Sequence, residues 1–478
     1  SSNFGWSQAT TLPSYPTVLE QTQAMKEAND RIGAECELFG IYFDSADFIK
    51  KATAWQEAHG GPSGYRKMVF GDDYDAVGYY ADWDVAGIMF NKAAPSQNHT
   101  VSVQGTSGKT NYYMSVGYDK EQSIINFNPD KVKKYNATVN VTSQVKDWLQ
   151  VGARVNYSDK TYTYPYMRGG TYQYLWRWGS FFGPYGWFEG EDGGHYEGRT
   201  MIGYRMTGGD SYDKTDNLRL GGFMKVDILP GLTFNADYTF TNKTTRYKGV
   251  GLPAKIYNTW SVNPQLTDLS TTTFIETSRS FYYNHVANAY FNYALNLSEK
   301  NHLNFMVGAN LDRSEYEYLY YERHDIADLH MIELALTNSD YSYTHSHTQQ
   351  GSLGFFGRVN YDYAGKYLAE FNVRRDGSTK FGRNNRFGIF PSVSAGWKIS
   401  EEPWFKDLGA DWVSLIKPRV SWGVLGNTDA LSNYSFLKEY TGGVAGPAYT
   451  FDGSSISTGY ISAKLINNDI KWEEVRTF

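Results

Sequence analysis

The chain has 478 residues, a formal net charge of −6 and a single cysteine, Cys36. With no basic stripe, this charge argues against a nucleic-acid-binding protein, and one cysteine excludes an intrachain disulfide. A mean hydropathy of −0.53 and the lack of any run of about 18 apolar residues exclude membrane-spanning helices, but not a membrane barrel, whose strands need only about ten alternating residues.

The first part of the chain, residues 1–98, is predicted to be an N-terminal barrel segment that carries a helical connection. Pro16 is typical of a helix start, and the apolar spacing extends this helix to about Ile32. Ser45 is a suitable N-cap for a second helix over 46–58, whereas the Gly-, Asp- and Tyr-rich stretch 60–80 indicates a loop. We interpret the connection as packed over the mouth of a barrel; an independent domain is the alternative.

From His99 onward the sequence alternates with period two. Between Tyr135 and Thr142 the odd positions are apolar and most even ones small and polar, and odd positions are apolar again from Leu149 to Tyr157. Successive side chains of a strand point to opposite faces, so such a pair predicts a hairpin with one apolar and one wet wall. The pattern predicts about twelve strands, at 99–105, 111–119, 134–142, 149–158, 217–228, 232–240, 284–297, 301–311, 353–363, 367–374, 388–399 and 417–424, with a thirteenth near Ile470.

The connections between these strands fall into two populations. Short turns alternate with long connections, predicted at 120–132, 159–216, 241–273, 312–349 and 376–386. Outer-membrane barrels show this asymmetry, with short periplasmic turns and long extracellular loops. The stretch 401–416 is an exception, because it falls on the short-turn side but has medium length and a helical pattern.

Two stretches carry more than a pattern. Residues 374–382 read RRDGSTKFG, and residues 385–402 read NRFGIFPSVSAGWKISEE. Residues 99–105 and 109–118, HTVSVQG and KTNYYMSVGY, form a second signature. Both resemble the SusC/RagA family of TonB-dependent outer-membrane transporters, and the resemblance is most specific from His99 onward.

The residues of the first motif have a structural interpretation. Asp376, Gly377 and Ser378 follow Arg374 where a strand leaves the sheet, and we expect Gly377 to supply a positive φ there. The other motif residues lie on the returning strand; they are Phe390, Pro391, Gly396 and Trp397. Trp397 is suited to an interfacial aromatic girdle.

The resemblance implies an all-β fold, an antiparallel transmembrane barrel of about 22 strands around a plug. It implies a multi-pass protein of the bacterial outer membrane, not an enzyme, that imports oligosaccharides or peptides with energy relayed by TonB. It also implies a SusD-like surface lipoprotein that closes over the barrel. We find no plug domain or TonB box, so we expect this chain to be the early and middle barrel of a longer protein. Residues 1–98 would form the N-terminal segment and residues 99–478 the barrel strands. TonB would be contacted through the missing plug region.

The long connection 159–216 is the best candidate for substrate or lid contact. Flat aromatic faces can stack on sugar rings or on apolar peptide side chains. The alternative is that these rings pack the loop on itself and on the lipoprotein. The candidates are Tyr172, Tyr174, Trp176, Trp178, Tyr185, Trp187 and Phe188.

No metal or other cofactor is expected. His345 and His347, with His324 and His330 nearby, could ligate a metal, but we favour solvated or hydrogen-bonded imidazoles. Calcium at Asp210, Asp213 and Asp216 is the alternative, although their spacing lacks a calcium-loop form.

Two other functions remain open at this point. One is a secreted all-β glycan-binding or glycan-degrading protein, which for hydrolysis needs two carboxylates about 5 to 10 Å apart in a cleft. The other is an unplugged porin or adhesin barrel.

Overall fold

A computed structural model describes residues 2–8, 16–38, 41–59, 64–68, 80–166, 186–259, 265–270, 272–409, 412–437, 440–442, 449–451, 454–456, 460–462 and 469–478. Within these, one antiparallel sheet holds fourteen strands. They are β1 Ser2–Gln8, β2 Ala93–Ser107, β3 Thr110–Gln122, β4 Lys131–Lys146, β5 Leu149–Pro165, β6 Asp210–Leu229, β7 Leu232–Gly251, β8 Phe274–Ser298, β9 Asn301–His324, β10 Ser342–Tyr363, β11 Tyr367–Ser378, β12 Phe387–Trp397, β13 Arg419–Asn427 and β14 Glu473–Thr477.

Each strand of the sheet pairs with the next one along the chain, so the sheet is a continuous meander from β1 to β14. The predicted all-β antiparallel class is confirmed. The twelve predicted strands correspond to β2–β13, and the thirteenth, near Ile470, corresponds to β14. Strand β1 was not predicted. Among the described residues β1 and β14 are the two edges of the sheet, which is not closed.

Several strands are longer than the alternation predicted. Strand β7 continues to Gly251 and β9 to His324, while β10 already begins at Ser342. Parts of the predicted loops 241–273 and 312–349 are therefore strand. In the added parts of β7 and β10 most side chains are polar, so the apolar alternation ends in the sequence while backbone pairing continues.

The two faces of the sheet differ as predicted. Odd positions of β9 carry an apolar band from Leu303 to Leu311, and Val307 in its middle is 61% exposed. The nine residues of this band match the about 9–11 that a membrane-spanning strand needs. Val139 and Val155 are half-buried, so they do not lie in a dry core between layers. We call the banded face the outer face and the opposite one the inner face.

One end of the sheet is formed by short turns. Gly231 in the turn between β6 and β7 has a φ of +83°, and a Cβ there would clash with the carbonyl oxygen of Ala294. The other end carries the connections that follow β1, β3, β5, β7, β9, β11 and β13. We call these the short-turn end and the long-connection end.

Five helices are described: α1 Val18–Ile32, α2 Ser45–His59, α3 Val85–Met89, α4 Met201–Thr207 and α5 Pro403–Lys406. Helix α1 is confirmed, with a capping box between Thr17 and Glu20. Helix α2 is also confirmed, but Ser45 is not its cap, because the Asp44 carboxylate accepts the first backbone N–H groups instead. No described helix is both long and apolar enough to cross a membrane.

Short elements occupy the connections. The 3₁₀ turns are Leu334–Leu336 and Ile399–Glu401. The short strands are Cys36–Leu38, Ile41–Phe43, Arg66–Met68, Gly186–Glu189, His195–Glu197, Ala254–Tyr257, Leu266–Ser270, Tyr440–Gly442, Tyr449–Phe451, Ser454–Ile456 and Tyr460–Ser462. The strand Arg66–Met68 corrects the loop predicted over 60–80, since its partner lies far along the chain and leaves no local signal.

The first family motif lies where β11 ends. Strand β11 continues to Ser378, four residues beyond the predicted end at Arg374. The expected positive φ at Gly377 is wrong, because Gly377 is extended and paired with Phe387 on β12. A glycine is required for another reason: a Cβ at this position would clash with the Phe387 ring. The Arg375 guanidinium covers the same ring at 4.9 Å.

Candidate functional site

A hydrophobic core forms at the long-connection end from segments that are distant in sequence. We call it the cap, made of residues 64–68, 80–92, 123–130, 186–209 and 252–259. Its buried side chains come from every one of these segments, so the long connections fold against one another instead of extending separately. They are Met68, Ala81, Trp83, Val85, Ile88, Met89, Phe90, Ile125, Phe188, Met201, Ile202 and Tyr257.

A three-stranded sheet organises the cap. Strand Gly186–Glu189 pairs parallel with Arg66–Met68 and antiparallel with His195–Glu197. Phe188, on the central strand, is fully buried, and its ring centroid lies 4.7 Å from that of Tyr257. The sheet thereby joins the connection after β1 to the connection after β5.

A buried ion pair joins two segments of the cap, and its carboxylate also connects them to the main sheet. Arg205 of α4 has no exposed surface, and its Nη2 donates to Asp130 Oδ1 at 2.7 Å. Arg205 also donates to the carbonyl oxygens of Phe127 at 2.9 Å and Asn128 at 2.7 Å. The other Asp130 oxygen accepts from the Tyr162 hydroxyl on β5 at 2.7 Å. A buried charge needs such partners, because desolvation is not otherwise offset.

A second buried carboxylate lies within the cap. Glu197 Oε1 accepts from the Tyr65 hydroxyl at 2.8 Å and lies 2.8 Å from His195 Nε2. Burial, together with this hydrogen bond to Glu197, raises the pKa of Tyr65. His195 stacks on Trp187 at 4.3 Å, and the Lys67 ammonium lies 5.3 Å from the same ring.

Below the cap, the inner face carries a row of tyrosines and carboxylates. The Tyr164 hydroxyl donates to Asp213 at 3.0 Å. The Tyr320 oxygen lies 2.9 Å from Glu276 and 2.8 Å from Glu322. Even positions on β9 are opposite to the odd positions of the apolar band, which places Tyr320 and Glu322 on the inner face. We call the row the tyrosine–carboxylate wall; its members are Asp130, Tyr162, Tyr164, Asp213, Tyr247, Glu276, Tyr320 and Glu322.

The wall offers hydroxyl and carboxylate oxygens to a polar ligand on a rigid scaffold. Directly paired residues share a face, and the ladder pairs Asp213 with Tyr162 and Glu276 with Glu322. The side chains are therefore held by strand pairing as well as by their mutual hydrogen bonds. Such a surface suits hydrogen bonding to sugar hydroxyls or to peptide groups.

Two of the histidines that were considered as possible metal ligands contact carboxylates of the neighbouring strand. His345 Nε2 lies 3.3 Å from Glu317, and His347 Nε2 lies 3.0 Å from Glu315. In the described part of the chain, no group of three or more His, Cys, Asp or Glu is arranged to hold a metal ion. Asp213 lies on the opposite face of β6 from Asp210 and Asp216, as alternation requires.

The residues predicted to contact a substrate or a lid lie partly within and partly outside the residues that the structure describes. Tyr172, Tyr174, Trp176, Trp178 and Tyr185 lie outside the described residues. Trp187 and Phe188 belong to the cap, where Phe188 is part of the core and thus matches the packing alternative. Their contact with a substrate or a lid stays a prediction.

The family-motif residues lie along β11 and β12. Arg374 Nη2 donates to Asp376 at 2.8 Å and to Asn310 at 3.1 Å on the inner face. Phe390 is buried, with its ring 5.1 Å from that of Trp472. Pro391 lies just beyond the β12–β13 ladder, which ends at Ser392. Gly396 lines an inner groove of about 620 Å³.

Sequence reasoning missed most of the wall. Tyr162 and Tyr164 alternate with threonines, which indicates a strand with tyrosines on one face, but their partners Asp130 and Asp213 are known only from the pairing. Arg205 gives no signal, because a single arginine in a connection is usually solvated.

Comparisons with known proteins agree with this architecture. No family model matches the chain. It is 30% identical over 268 residues to TonB-dependent receptor P39 of Formosa agariphila, an alignment that covers 53% of this chain and 22% of that receptor. It is 35% identical over 131 residues to TonB-dependent receptor SusC of Bacteroides thetaiotaomicron, covering 27% of this chain and 13% of that receptor.

The fold of the chain also agrees with that of a solved transporter structure. A chain of the RagAB peptide transporter superposes with a TM-score of 0.72 at 19% identity, covering 99% of this chain and 51% of that chain. The chain is therefore similar to TonB-dependent receptors over part of its sequence, and it is similar to a RagAB chain in its fold. It spans about half the length of the RagAB chain.

Proposed function

We propose that the protein imports oligosaccharides or peptides across the bacterial outer membrane in a TonB-dependent manner. The observation that carries this proposal is the division of the sheet: the outer face has an apolar band, and the inner face has a polar wall beneath a folded cap. A nutrient importer needs these two surfaces, because one meets lipid while the other meets a hydrated ligand. The relatives named as TonB-dependent receptors support the energy source.

The partners of this proposal follow from the same relatives. A SusD-like lipoprotein would sit on the cap from outside, and TonB would act through a plug region outside this chain. The solved relative is named a peptide transporter. The tyrosine–carboxylate wall suits peptides and oligosaccharides alike, so the proposal retains both substrate classes.

Uptake by cells that express the full-length protein tests this function. We expect uptake of labelled oligosaccharides or peptides that stops when TonB is absent. Tyr164→Phe removes an inner-face hydroxyl that donates to Asp213. In the proposal the same hydroxyl also bonds the ligand, and one hydrogen bond contributes about 0.5–1.5 kcal/mol, so uptake at limiting substrate should fall up to about tenfold.

Tyr157→Phe is the matched control, since Tyr157 lies on the same strand but on the outer face. It should leave uptake unchanged. Equal effects of the two substitutions would contradict binding at the wall. A protein that stays monomeric and soluble without detergent would overturn the proposal, and hydrolysis of a glycan panel would support the secreted enzyme instead.

A further inference from the structure

The connection between β12 and β13 exposes large apolar side chains at the short-turn end. We call residues 399–409 and 412–416 the rim loop. A hydrogen bond from the Ile399 N–H to the Ile416 carbonyl, at 2.9 Å, joins its two ends. Its exposed fractions are 52% for Trp404, 68% for Leu408 and 87% for Trp412. Exposed apolar surface of this kind marks contact with a partner or a membrane.

The rim loop is attached to the outer face of the sheet. Glu402 accepts from Trp397 Nε1 at 3.1 Å and from the Lys366 ammonium at 3.1 Å. Trp397 occupies an odd position of β12, the same face as the exposed Ile389 and Val393 of the apolar band. The Trp404 ring lies 6.5 Å from that of Trp397, so the apolar surface continues from the band into the rim loop.

Local structure separates the apolar and charged side chains of the rim loop. The predicted helical character is confirmed only in the first part, by the 3₁₀ turn Ile399–Glu401 and by α5. The turn after α5 ends at Gly409, which has a φ of +63°. Trp404 and Leu408 are four residues apart and share one side of this turn. Lys406, two residues from each of them, lies on the other side of the turn and bonds Glu401 at 2.7 Å.

We propose that the rim loop lies in the bilayer interface at the short-turn end, with Trp404, Leu408 and Trp412 inserted among the lipids. The inference rests on the proposed membrane position of the sheet and adds a further lipid contact to it. Trp rings favour this zone because one part of the ring is apolar and the N–H is polar. Continuity with the apolar band through Trp397 and Trp404 identifies lipid as the occupant.

Spin labels in the full-length protein, reconstituted in phospholipid vesicles, test this position. The native Cys36 is replaced by serine, and single labels are introduced as Leu408→Cys, Lys406→Cys and Val307→Cys. Relaxation by oxygen, which enriches in lipid, is compared with relaxation by a water-soluble nickel chelate. We expect label 408 to favour oxygen, as label 307 does, while label 406 favours the nickel chelate.

The three labels separate the possible failures. If label 307 favours the nickel chelate, the proposed membrane position of the sheet itself is wrong. If label 307 favours oxygen while label 408 favours nickel, only the rim-loop inference is overturned. Protection of label 408 from both reagents would also overturn it, since a protein segment would then cover the loop. All three positions are exposed, so the labels should not prevent folding.

Discussion

Replacing Arg205 by methionine should open the cap without unfolding the main sheet. The substitution keeps much of the side-chain volume but removes the donors to Phe127, Asn128 and Asp130. Asp130 is only 5% exposed, and in this variant it loses the guanidinium while the Tyr162 hydroxyl still donates to it. Breaking a buried pair in this way costs about 3–5 kcal/mol, whereas an exposed pair contributes about 0–1 kcal/mol.

Hydrogen exchange read by mass spectrometry measures this local cost. Because about 1.4 kcal/mol corresponds to a tenfold change, exchange in peptides that cover 123–130 and 201–207 should accelerate at least about 100-fold. Peptides from β9 and β10 should not change. Lys109→Met is the control, since its pair with Asp147 is largely exposed. Unchanged exchange in the cap peptides of the Arg205 variant would refute the claim that this ion pair holds the two cap segments together.

Three further predictions concern other parts of the chain. Phe188→Ala should leave a cavity in the cap and destabilise it by about 3–5 kcal/mol, measured by the same exchange experiment. Hydrogen bonds from the Trp397 N–H and from Tyr367 lower the pKa of Glu402. The stabilisation that they give is present above the ordinary pKa of 4.5 and is lost as pH falls through the lower folded value. Urea unfolding against pH should show this loss, and Glu402→Gln should abolish it. Gly231→Ala should destabilise the β6–β7 hairpin by at least about 1–2 kcal/mol in thermal unfolding, because φ is positive there.

The strands were predictable where one face meets lipid and the other meets water. On β9 the alternation from Leu303 to Leu311 is read directly from the sequence, and it gives the strand, its register and its faces. Strand β1 was missed because it is short and pairs with Ala93–His99, far along the chain. Only two of its side chains, Phe4 and Trp6, are large and apolar, which is too few to define a period.

The cap could not be predicted for a different reason. Its core residues come from separate connections, and none of these segments has a hydrophobic period of its own. Phe188 and Ile125 become neighbours of one core only when the meander brings the long connections to one end. The motif glycine Gly377 illustrates the same limit, since its requirement comes from Phe387 on the next strand and not from its own backbone angle.

The position of the tyrosine–carboxylate wall relative to the apolar band links binding to the cap. On β9 the band ends at Leu311, where Arg313 follows on the outer face, yet the strand continues to His324. Tyr320 and Glu322 therefore lie beyond the apolar band, toward the long-connection end of the sheet. Asp130 belongs to both regions, because it accepts from Arg205 of the cap and from Tyr162 of the wall. A movement that separates Arg205 from Asp130 thus also removes one fixed partner of the wall, so opening of the cap and the geometry presented to a ligand change together.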